Sequence, residues 1–525
     1  MSVAELIYQS IVNSTEDHST PFSEEELDGH VAPAWSLDSA SALDCLDSVL
    51  PSEEAILEVM MGIDRPWEDL HHRSYFLPPL QEVESRFSEL SSSDVCMVLN
   101  PLAPAHVRAE GNMSIISKTT PINISKDPNV IENIFIGVEC SPEEIQTYTD
   151  LFKEFRDVFA WSYEEMPGID PSIVQHEIKT YENARPVRQR LRPVNPRKAA
   201  AIKAEVEKLL KAGFIYPVPL TDWVSNPVPV DKKQGTIRVC IDFRDLNKAC
   251  PKDNYPTPFI DQIIDECAGN EIFSFMDGFL GYNQISIRPE DQYKTAFICP
   301  WGTFAYRKMP FGLKNAGATF QRAMSYAFHD IKNIIEAYLD DLAARSQKRT
   351  DHPSHLRMVF ERCRFYKIRL NPNKCVFAVT SGRLLGFIVS NEGIRVDPFK
   401  VEAIVRLPPP SSIRQLQSLQ GKANFLRRFI ANYAEITKGF MRLLRKGVPF
   451  VWDDFAQRSF DALKKALVSA PLLSPPDYGR DFLFYLAAAK STIGMVLVQE
   501  DDALTEHVIY YLSRGLIGPD FAILR

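Results

Sequence analysis

Two adjacent aspartates, Asp340 and Asp341, stand out in the stretch IIEAYLDDLAARS at positions 334–346. An apolar run leads into them and a weaker apolar stretch follows, which is typical of two strands joined by a turn. Adjacent side chains of a strand point to opposite faces, so both aspartates can serve one site only if a tight turn bends the backbone between them. The dipeptide alone fits either a solvated hairpin tip or a metal site.

A third carboxylate, Asp277, ends the apolar stretch FSFMD and lies 63 residues before Asp340. Two strands of one antiparallel sheet would bring the three side chains together. Carboxylates at close quarters repel, and burial raises the pKa of one of them, whereas divalent cations remove the conflict. Such a cage suits two Mg²⁺ ions about 3.5–4 Å apart, with Mn²⁺ as the alternative. One ion would activate an attacking hydroxyl and the other would bind phosphates.

The composition excludes several classes of protein. The 525 residues are 45% hydrophobic and 24% charged, which is typical of globular proteins. No apolar run reaches the ~18 residues of a membrane-spanning helix, and the first residues lack a secretory signal. The nine cysteines show no metal-binding spacing. We therefore expect reduced thiols in an intracellular protein, in the cytoplasm or the nucleus, without a membrane partner.

Charge is distributed unevenly along the chain. Residues 1–100 hold 20 acidic side chains against three Lys and Arg, whereas residues 101–525 hold 48 against 56. The first segment is rich in Ser, Pro, Glu and Asp without sustained hydrophobic period, which predicts a largely disordered acidic arm over residues 1–130. The mildly basic remainder suits a polyanion partner, and an ordinary solvated surface explains the same charge.

The hydrophobic periods predict helices and strands joined by hairpins rather than regular βαβ units. The clearest helix is NPRKAAAIKAEVEKLLKAG, which Gly213 ends, and Ser141 with Glu144 predicts a capping box at another. Strand-like stretches flank the turns KKQG and PWG, and the stretch IDPSIVQHEIKT alternates like a short strand. This order predicts an α+β fold with an antiparallel central sheet.

Seven ordered blocks of the sequence resemble the reverse transcriptase of gypsy-type LTR retrotransposon polyproteins, most closely those of plant elements. The blocks are RPVRQRLRPVNP, IRVCIDFRDLNKACPKDNYP, SFMDGFLGYNQI, KTAFICPWGTFAYRKMPFGLKNAGATFQR, YLDD, LLGFIVSNEGI and QGKANFLRRFI. The resemblance runs from Phe159 to the last residues. It implies a right-hand polymerase with fingers, a palm built on an antiparallel sheet, and a thumb, followed by a partial RNase H-like α/β domain.

The resemblance assigns roles around the aspartates. Asp277, Asp340 and Asp341 match the catalytic, metal-binding residues of the palm. Tyr282 matches the aromatic gate under the incoming sugar, whose ring leaves no room for a 2′-hydroxyl. The alternative for Tyr282 is a core tyrosine near a glycine turn.

Four further residues are candidates for the site that binds the deoxynucleotide. Arg238 matches the fingers arginine that holds the triphosphate, and either Lys232 or Lys233 matches its companion lysine. A guanidinium and an ammonium on a hairpin suit a polyanion, although ordinary surface charges fit the same pattern. Phe311 lies at the centre of the block MPFGLKNAGATF, which packs against nucleotide and template in the family.

Two regions nearer the C-terminus carry further expectations. Gly386 and Phe387 lie in a block that resembles the primer grip, and a packed hairpin is the alternative. In the RNase H-like region Ala487 takes the position of the family's first catalytic aspartate, and Asp520 lies near the expected glutamate before the chain stops at Arg525. One carboxylate cannot hold the needed metals, so we expect RNase H activity to be lost.

These patterns predict five segments. They are an acidic arm over 1–130, a lead-in segment over 131–195, fingers and palm over 196–395, a thumb and connection over 396–450, and a truncated RNase H-like domain over 451–525.

The predicted function is that of an RNA-directed DNA polymerase which extends a primer with dNTPs by two-metal catalysis. Its expected partners are an RNA or DNA template with its primer, dNTPs, and other products of a retroelement polyprotein. Two alternatives remain open at this point: a catalytically silent remnant that binds nucleic acid or a protein, and a DNA-templated polymerase.

Overall fold

The structure is a computed structural model that describes residues 118–231, 237–279, 281–489 and 491–516. The α-helices of these residues are α1 (Pro142–Glu154), α2 (Pro196–Lys211), α3 (Arg244–Ala249), α4 (Ile260–Cys267), α5 (Ala316–Ala327), α6 (His352–Phe365), α7 (Pro398–Val405), α8 (Ile413–Phe425), α9 (Tyr433–Met441) and α10 (Asp454–Val468).

The strands fall into one large sheet and several small ones. In chain order they are β1 (Thr119–Asn123), β2 (Asn133–Gly137), β3 (Gln175–His176), β4 (Ile215–Pro217), β5 (Pro227–Asp231), β6 (Ile237–Ile241), β7 (Ile272–Asp277), β8 (Ser286–Ile287), β9 (Phe297–Cys299), β10 (Gly302–Tyr306), β11 (Ile335–Tyr338), β12 (Asp341–Ser346), β13 (Val376–Val379), β14 (Ser381–Leu384), β15 (Phe387–Ser390), β16 (Gly393–Val396), β17 (Leu483–Ala488), β18 (Thr492–Glu500) and β19 (Glu506–Gly515).

The large sheet has six strands in the order β1-β2-β13-β7-β12-β11. Four of its five neighbouring pairs are antiparallel, as the sequence predicts. The pair of β2 and β13 is parallel, which the sequence patterns did not predict. The hairpin partner of β2 is β1 on its other side, whereas β13 lies more than 200 residues away along the chain, so no local pattern marks this pairing.

Strands β7 and β12 lie in the middle of the large sheet and are buried along their whole length. Because side chains alternate along a strand, β7 contributes to two different hydrophobic cores. Ile272 and Met276 pack in the core that includes α1, α5 and α6. Phe273 and Phe275 pack in the core that includes α4 and α8. The carboxyl end of β7 is thus held from both sides of the sheet.

The helix predicted most clearly is confirmed as α2. Asn195 accepts a hydrogen bond from the Arg197 backbone N–H at its start, and Gly213 follows its end with a left-handed φ of 72°. The predicted capping box of α1 is also present, with Ser141 and Glu144 bonded to each other's backbone. Local sequence chemistry therefore fixes these two helices.

The C-terminal half adds the sheet β14-β15-β16, four helices, and the sheet β17-β18-β19. A buried arginine, Arg428, connects these parts to α4. Its guanidinium donates to Asp261 and Asp265 of α4 at 3.0 and 2.7 Å, and lies 4.9 Å from the ring centre of Tyr510 in β19. Three parts of the chain therefore meet at one side chain.

The structure tests the predictions for the acidic arm and for one strand only in part. The predicted acidic arm lies mostly outside the described residues, but its last part contains β1, which pairs with β2. The folded region therefore starts before residue 131. The strand predicted in IDPSIVQHEIKT is only the two-residue β3. Among the described residues, no helix is long and apolar enough to span a membrane, and the seven described cysteines are free thiols.

Candidate active site

The hairpin of β11 and β12 carries the adjacent aspartates at its tip. Tyr338 pairs with Asp341, so Leu339 and Asp340 form the two-residue turn that the sequence requires. Leu339 adopts a left-handed φ of 53°, which is costly for a leucine. Gln321 of α5 holds this turn: its side-chain oxygen accepts from the Leu339 N–H at 2.7 Å, and its amide donates to the Ala337 carbonyl at 2.9 Å.

The three predicted aspartates come together where β7 ends and β12 begins, at the ends of two central strands of the large sheet. Asp277 and Asp341 are directly opposite each other in the antiparallel pair of β7 and β12. Opposite residues of such a pair project to the same face, with Cβ atoms about 4.5–5.5 Å apart. The Gly278 N–H donates to the Asp340 carbonyl oxygen at 2.9 Å, which brings the hairpin tip to the end of β7. Both Asp277 and Asp341 are buried, with 8% and 6% exposure.

One ammonium group faces these carboxylates. Lys374 Nζ lies 3.0 and 3.2 Å from the two carboxylate oxygens of Asp277. Burial raises the pKa of Asp277 to about 6; the charge of Lys374 opposes this rise and that of Asp340 adds to it. Burial also raises the pKa of Asp340, against its backbone hydrogen bond and the charges of Lys374 and Arg238. The site therefore favours added positive charge.

Divalent cations fit this set of donors. Within the described residues, no group of three or more His, Cys, Asp or Glu side chains is arranged as it stands to hold a metal ion. At this site the Lys374 ammonium lies within hydrogen-bond distance of both carboxylate oxygens of Asp277. Three carboxylates with one ammonium leave negative charge uncompensated in a buried place, and hard oxygen ligands are those that Mg²⁺ and Mn²⁺ prefer.

A glycine brings the next predicted residue close to the aspartates. A Cβ on Gly281 would lie 3.0 Å from the Asp340 Cβ, so a side chain here would displace the hairpin tip. Tyr282 follows, and its ring centre is 4.7 Å from that of Phe311 and 5.5 Å from that of Phe320. Tyr282 therefore packs against the core, and its backbone follows the glycine that lies against Asp340.

Arg238 contacts Phe311, the residue whose ring packs on Tyr282. The Arg238 guanidinium lies 5.2 Å from the centre of the Phe311 ring, and its charge lowers the pKa of Asp340. Asn247 of α3 fixes the loop behind Phe311, because its amide donates to the Gly312 carbonyl at 2.8 Å. Lys232 and Lys233 follow β5 and lie outside the described residues.

Comparison with protein-family models identifies the domain that carries these residues. Residues 230–389 match the model described as reverse transcriptase (RNA-dependent DNA polymerase). Residues 230–389 are a reverse transcriptase domain. Residues 452–520 match the model of an RNase H-like domain found in reverse transcriptases. The resemblance stated from the sequence blocks is thereby confirmed for both parts of the chain.

Curated relatives of this chain are retrotransposon polyproteins. The Tf2-3 and Tf2-7 transposon polyproteins of Schizosaccharomyces pombe are each 29% identical to it over 368 residues, which is 69% of this chain and 27% of each relative. The chain thus spans about a quarter of the length of these relatives. They support the gypsy-type LTR assignment, whereas the likeness to plant elements stays a prediction.

Solved structures show the fold of this chain. The foamy viral protease-reverse transcriptase in complex with double-stranded DNA is 22% identical, with a TM-score of 0.66 over 72% of this chain and 66% of that chain. The same viral protein in complex with an RNA/DNA hybrid is 21% identical, with a TM-score of 0.63 over 73% of this chain and 51% of that chain. The predicted polymerase fold of class α+β is confirmed.

The predicted primer grip is a tight turn between β14 and β15. Leu385 and Gly386 form the turn with φ values of 51° and 86°. Phe387 is 1% exposed and stacks on Phe425 and Phe429. Its ring therefore packs in the hydrophobic core, and the role of this hairpin as a primer grip stays a prediction.

In the RNase H-like domain, Ala487, at the position predicted for the family's first catalytic aspartate, lies on the edge strand β17. Ala487 of β17 pairs with Gly494 of β18, and neither carries a metal ligand. The nearby carboxylate of Glu435 accepts a hydrogen bond from Thr492 at 3.2 Å. Asp520 lies outside the described residues.

Three residues that position this site were not identified from the sequence. They are Gln321, which holds the hairpin tip; Asn247, which holds the Phe311 loop; and Lys374, which faces Asp277. Gln321 and Asn247 lie inside the blocks that carry the family resemblance, which was the available signal for them. Lys374 lies outside those blocks, and only the fold brings it to the aspartates.

Proposed function

We propose that this chain catalyses RNA-directed DNA synthesis, in which a primer 3′-hydroxyl attacks the α-phosphate of a dNTP and pyrophosphate leaves. The observation that supports it most is the register that sets Asp277 opposite Asp341, with Asp340 at the adjacent turn. A nucleotide polyphosphate needs a centre of this kind, where several carboxylates converge without enough cations of their own.

The side chains around the aspartates have distinct roles in this proposal. Asp277, Asp340 and Asp341 would hold Mg²⁺, or Mn²⁺, and these cations would neutralise charge on the attacking and leaving oxygens. Arg238 binds the triphosphate, because its guanidinium is a fork of donors that lies on the Phe311 ring beside the site. Tyr282 stacks under the sugar and excludes a 2′-hydroxyl.

The template and primer are the proposed macromolecular partners. The solved foamy viral proteins are bound to double-stranded DNA and to an RNA/DNA hybrid, and a similar fold here supports the same kind of duplex. Binding should depend steeply on salt, since it rests on phosphate contacts. Other products of a retroelement polyprotein are further proposed partners, and we place the protein inside the cell, consistent with its free thiols.

Primer extension tests this function directly. The chain is incubated with poly(rA)/oligo(dT), dTTP and Mg²⁺, beside the variants Asp340→Asn and Asp502→Asn. Asp502 is a matched control because it also belongs to an Asp-Asp pair but is 93% exposed at its side chain. We expect extension by the wild type and by Asp502→Asn, and its loss in Asp340→Asn. Well-folded wild-type protein without extension would instead support a silent nucleic-acid-binding remnant.

Two further comparisons refine the proposal. Extension of an RNA template and of a DNA template of equal sequence distinguishes a reverse transcriptase from a DNA-templated polymerase, which would use DNA alone. For the RNase H-like domain we propose lost activity, because Ala487 supplies no ligand. Release of fragments from the RNA strand of a hybrid, abolished by EDTA and absent from a mock preparation, would contradict this.

A further inference from the structure

Lys374 is fixed to the carboxyl end of β7 by its own backbone. Its N–H donates to the Asn371 carbonyl at 3.0 Å, and the Asn371 N–H donates to the Asp277 carbonyl at 2.8 Å. The turn that carries the lysine is therefore bonded to the residue whose carboxylate the lysine faces. This short connection places the Lys374 backbone beside the carboxyl end of β7.

The ammonium acts on all three carboxylates. It lies within hydrogen-bond distance of both oxygens of Asp277, at 3.0 and 3.2 Å. Burial lowers the pKa of Lys374, but Asp277 and then Asp340 and Asp341 raise it, and the net shift is upward. A single positive charge thus compensates part of the repulsion among three negative ones.

The same oxygens are those that a divalent cation needs. Mg²⁺ binds carboxylate oxygens at about 2.0–2.1 Å, and an ammonium that shares both oxygens of one carboxylate leaves no room for that approach. The Lys374 side chain is 52% exposed, so it has solvent into which it can turn. Because the lysine partner is half exposed, solvent screens this ion pair more than a fully buried one, and its ammonium can be exchanged.

We infer that Lys374 is the resident counter-cation of the metal-free site, and that a divalent cation must displace its ammonium from Asp277 in order to bind. This inference rests on the proposed function, because it concerns the same three aspartates. Its consequence is that Lys374 lowers the affinity of the free protein for Mg²⁺ and stabilises the fold while no metal is bound.

Calorimetric titration with MgCl₂, without nucleic acid or nucleotide, tests the inference on the full chain. In Lys374→Met, which keeps the length of the side chain but not its charge, we expect the apparent Kd for Mg²⁺ to fall about three- to tenfold. Lys374→Arg should leave the Kd unchanged or raise it, because a guanidinium grips a carboxylate with two donors. The control is Lys348→Met, an exposed lysine outside the site, with the wild-type Kd.

Thermal unfolding with and without Mg²⁺ is a second measurement, for the case that a variant binds Mg²⁺ too weakly for calorimetry or folds poorly. The melting temperature of Lys374→Met should rise with Mg²⁺ more than that of the wild type, since the variant lacks the counter-cation only when metal is absent. Equal Mg²⁺ affinity in wild type and Lys374→Met, no measurable Mg²⁺ binding by either, or shifts of Lys374→Met and Lys374→Arg in the same direction would each overturn the inference. Primer extension by the wild type is scored separately, so the two proposals fail independently.

Discussion

The backbone N–H of Leu339 donates a 2.7 Å hydrogen bond to the side chain of Gln321, across 18 residues of sequence. This bond and a second one from Gln321 to Ala337 hold a turn in which a leucine has a left-handed φ of 53°. The turn sets Asp340 beside Gly278 and lets Asp341 pair with Asp277. The geometry of the proposed metal site therefore depends on a helix that carries none of its ligands.

Gln321→Ala should loosen this turn. The Leu339 N–H would lose its acceptor in a partly buried place, which costs about 1–3 kcal/mol. We expect the free energy of unfolding to fall by about that amount and the rate of primer extension to fall at least tenfold, since small displacements of ligands cost catalysis heavily. Chemical denaturation and single-turnover extension measure the two effects.

The control for this prediction is Gln146→Ala. Gln146 also makes a side-chain hydrogen bond, to Asp150 at 2.9 Å, but on the exposed surface of α1. This variant should keep both stability and rate. If Gln321→Ala extends a primer as fast as the wild type, the hydrogen bonds from α5 are not required to hold the Leu339–Asp340 turn in its active geometry.

The raised pKa of Asp277 predicts a specific pH dependence. Its pKa is about 6 in the folded protein against 3.8 for the unperturbed group. Between about pH 4 and 6 the unfolded chain releases this proton while the folded chain keeps it, so this carboxyl makes the fold less stable as the pH rises, by up to ~3 kcal/mol.

Asp277→Asn removes this contribution. In metal-free buffer, unfolding of wild type and variant from pH 4 to 7 should differ in slope over that window, with the wild type losing more stability. Added Mg²⁺ should reduce the loss in the wild type above pH 6, because the cation compensates the ionised carboxylate. Parallel pH profiles for the two proteins would show that the carboxyl is not perturbed.

Tyr282 should decide between deoxy- and ribonucleotides. Tyr282→Val removes the ring beside Phe311, and a hydroxyl-sized space opens next to the proposed sugar position. We expect the preference for dTTP over UTP, measured as a ratio of kcat/KM values, to fall about 10- to 200-fold. Tyr282→Phe keeps the ring and is the matched control, which should retain the preference. If Tyr282→Val still rejects UTP, another residue excludes the 2′-hydroxyl.

Replacement by alanine should change the stability of the fold in opposite directions at two glycines. A Cβ on Gly382 would lie 2.0 Å from the Phe275 ring, so Gly382→Ala should destabilise the protein by about 1–3 kcal/mol. Gly421 lies inside α8 with no atom within 4 Å of such a Cβ, so Gly421→Ala should stabilise it by about 0.5–1 kcal/mol. Thermal unfolding measures both. A neutral Gly382→Ala would mean that β14 and β7 can separate at no cost.

Local patterns were sufficient for much of the fold. Alternation and apolar runs located β7, β11 and β12, and capping chemistry located α1 and α2. The sequence was weaker where a strand depends on a distant partner, as for β2, whose parallel neighbour β13 lies more than 200 residues away along the chain. Partners of this kind leave no periodic signal in a single segment.

The sequence by itself determined the family, the three aspartates and the need for a turn between Asp340 and Asp341, since each of these is written in residue type and spacing. Only the tertiary structure decided that Asp277 lies opposite Asp341, that Phe387 is buried, and that Lys374 faces the carboxylates. The physical reason is that strand register and burial result from packing between remote segments, whereas turns, caps and alternation depend on neighbours in the chain.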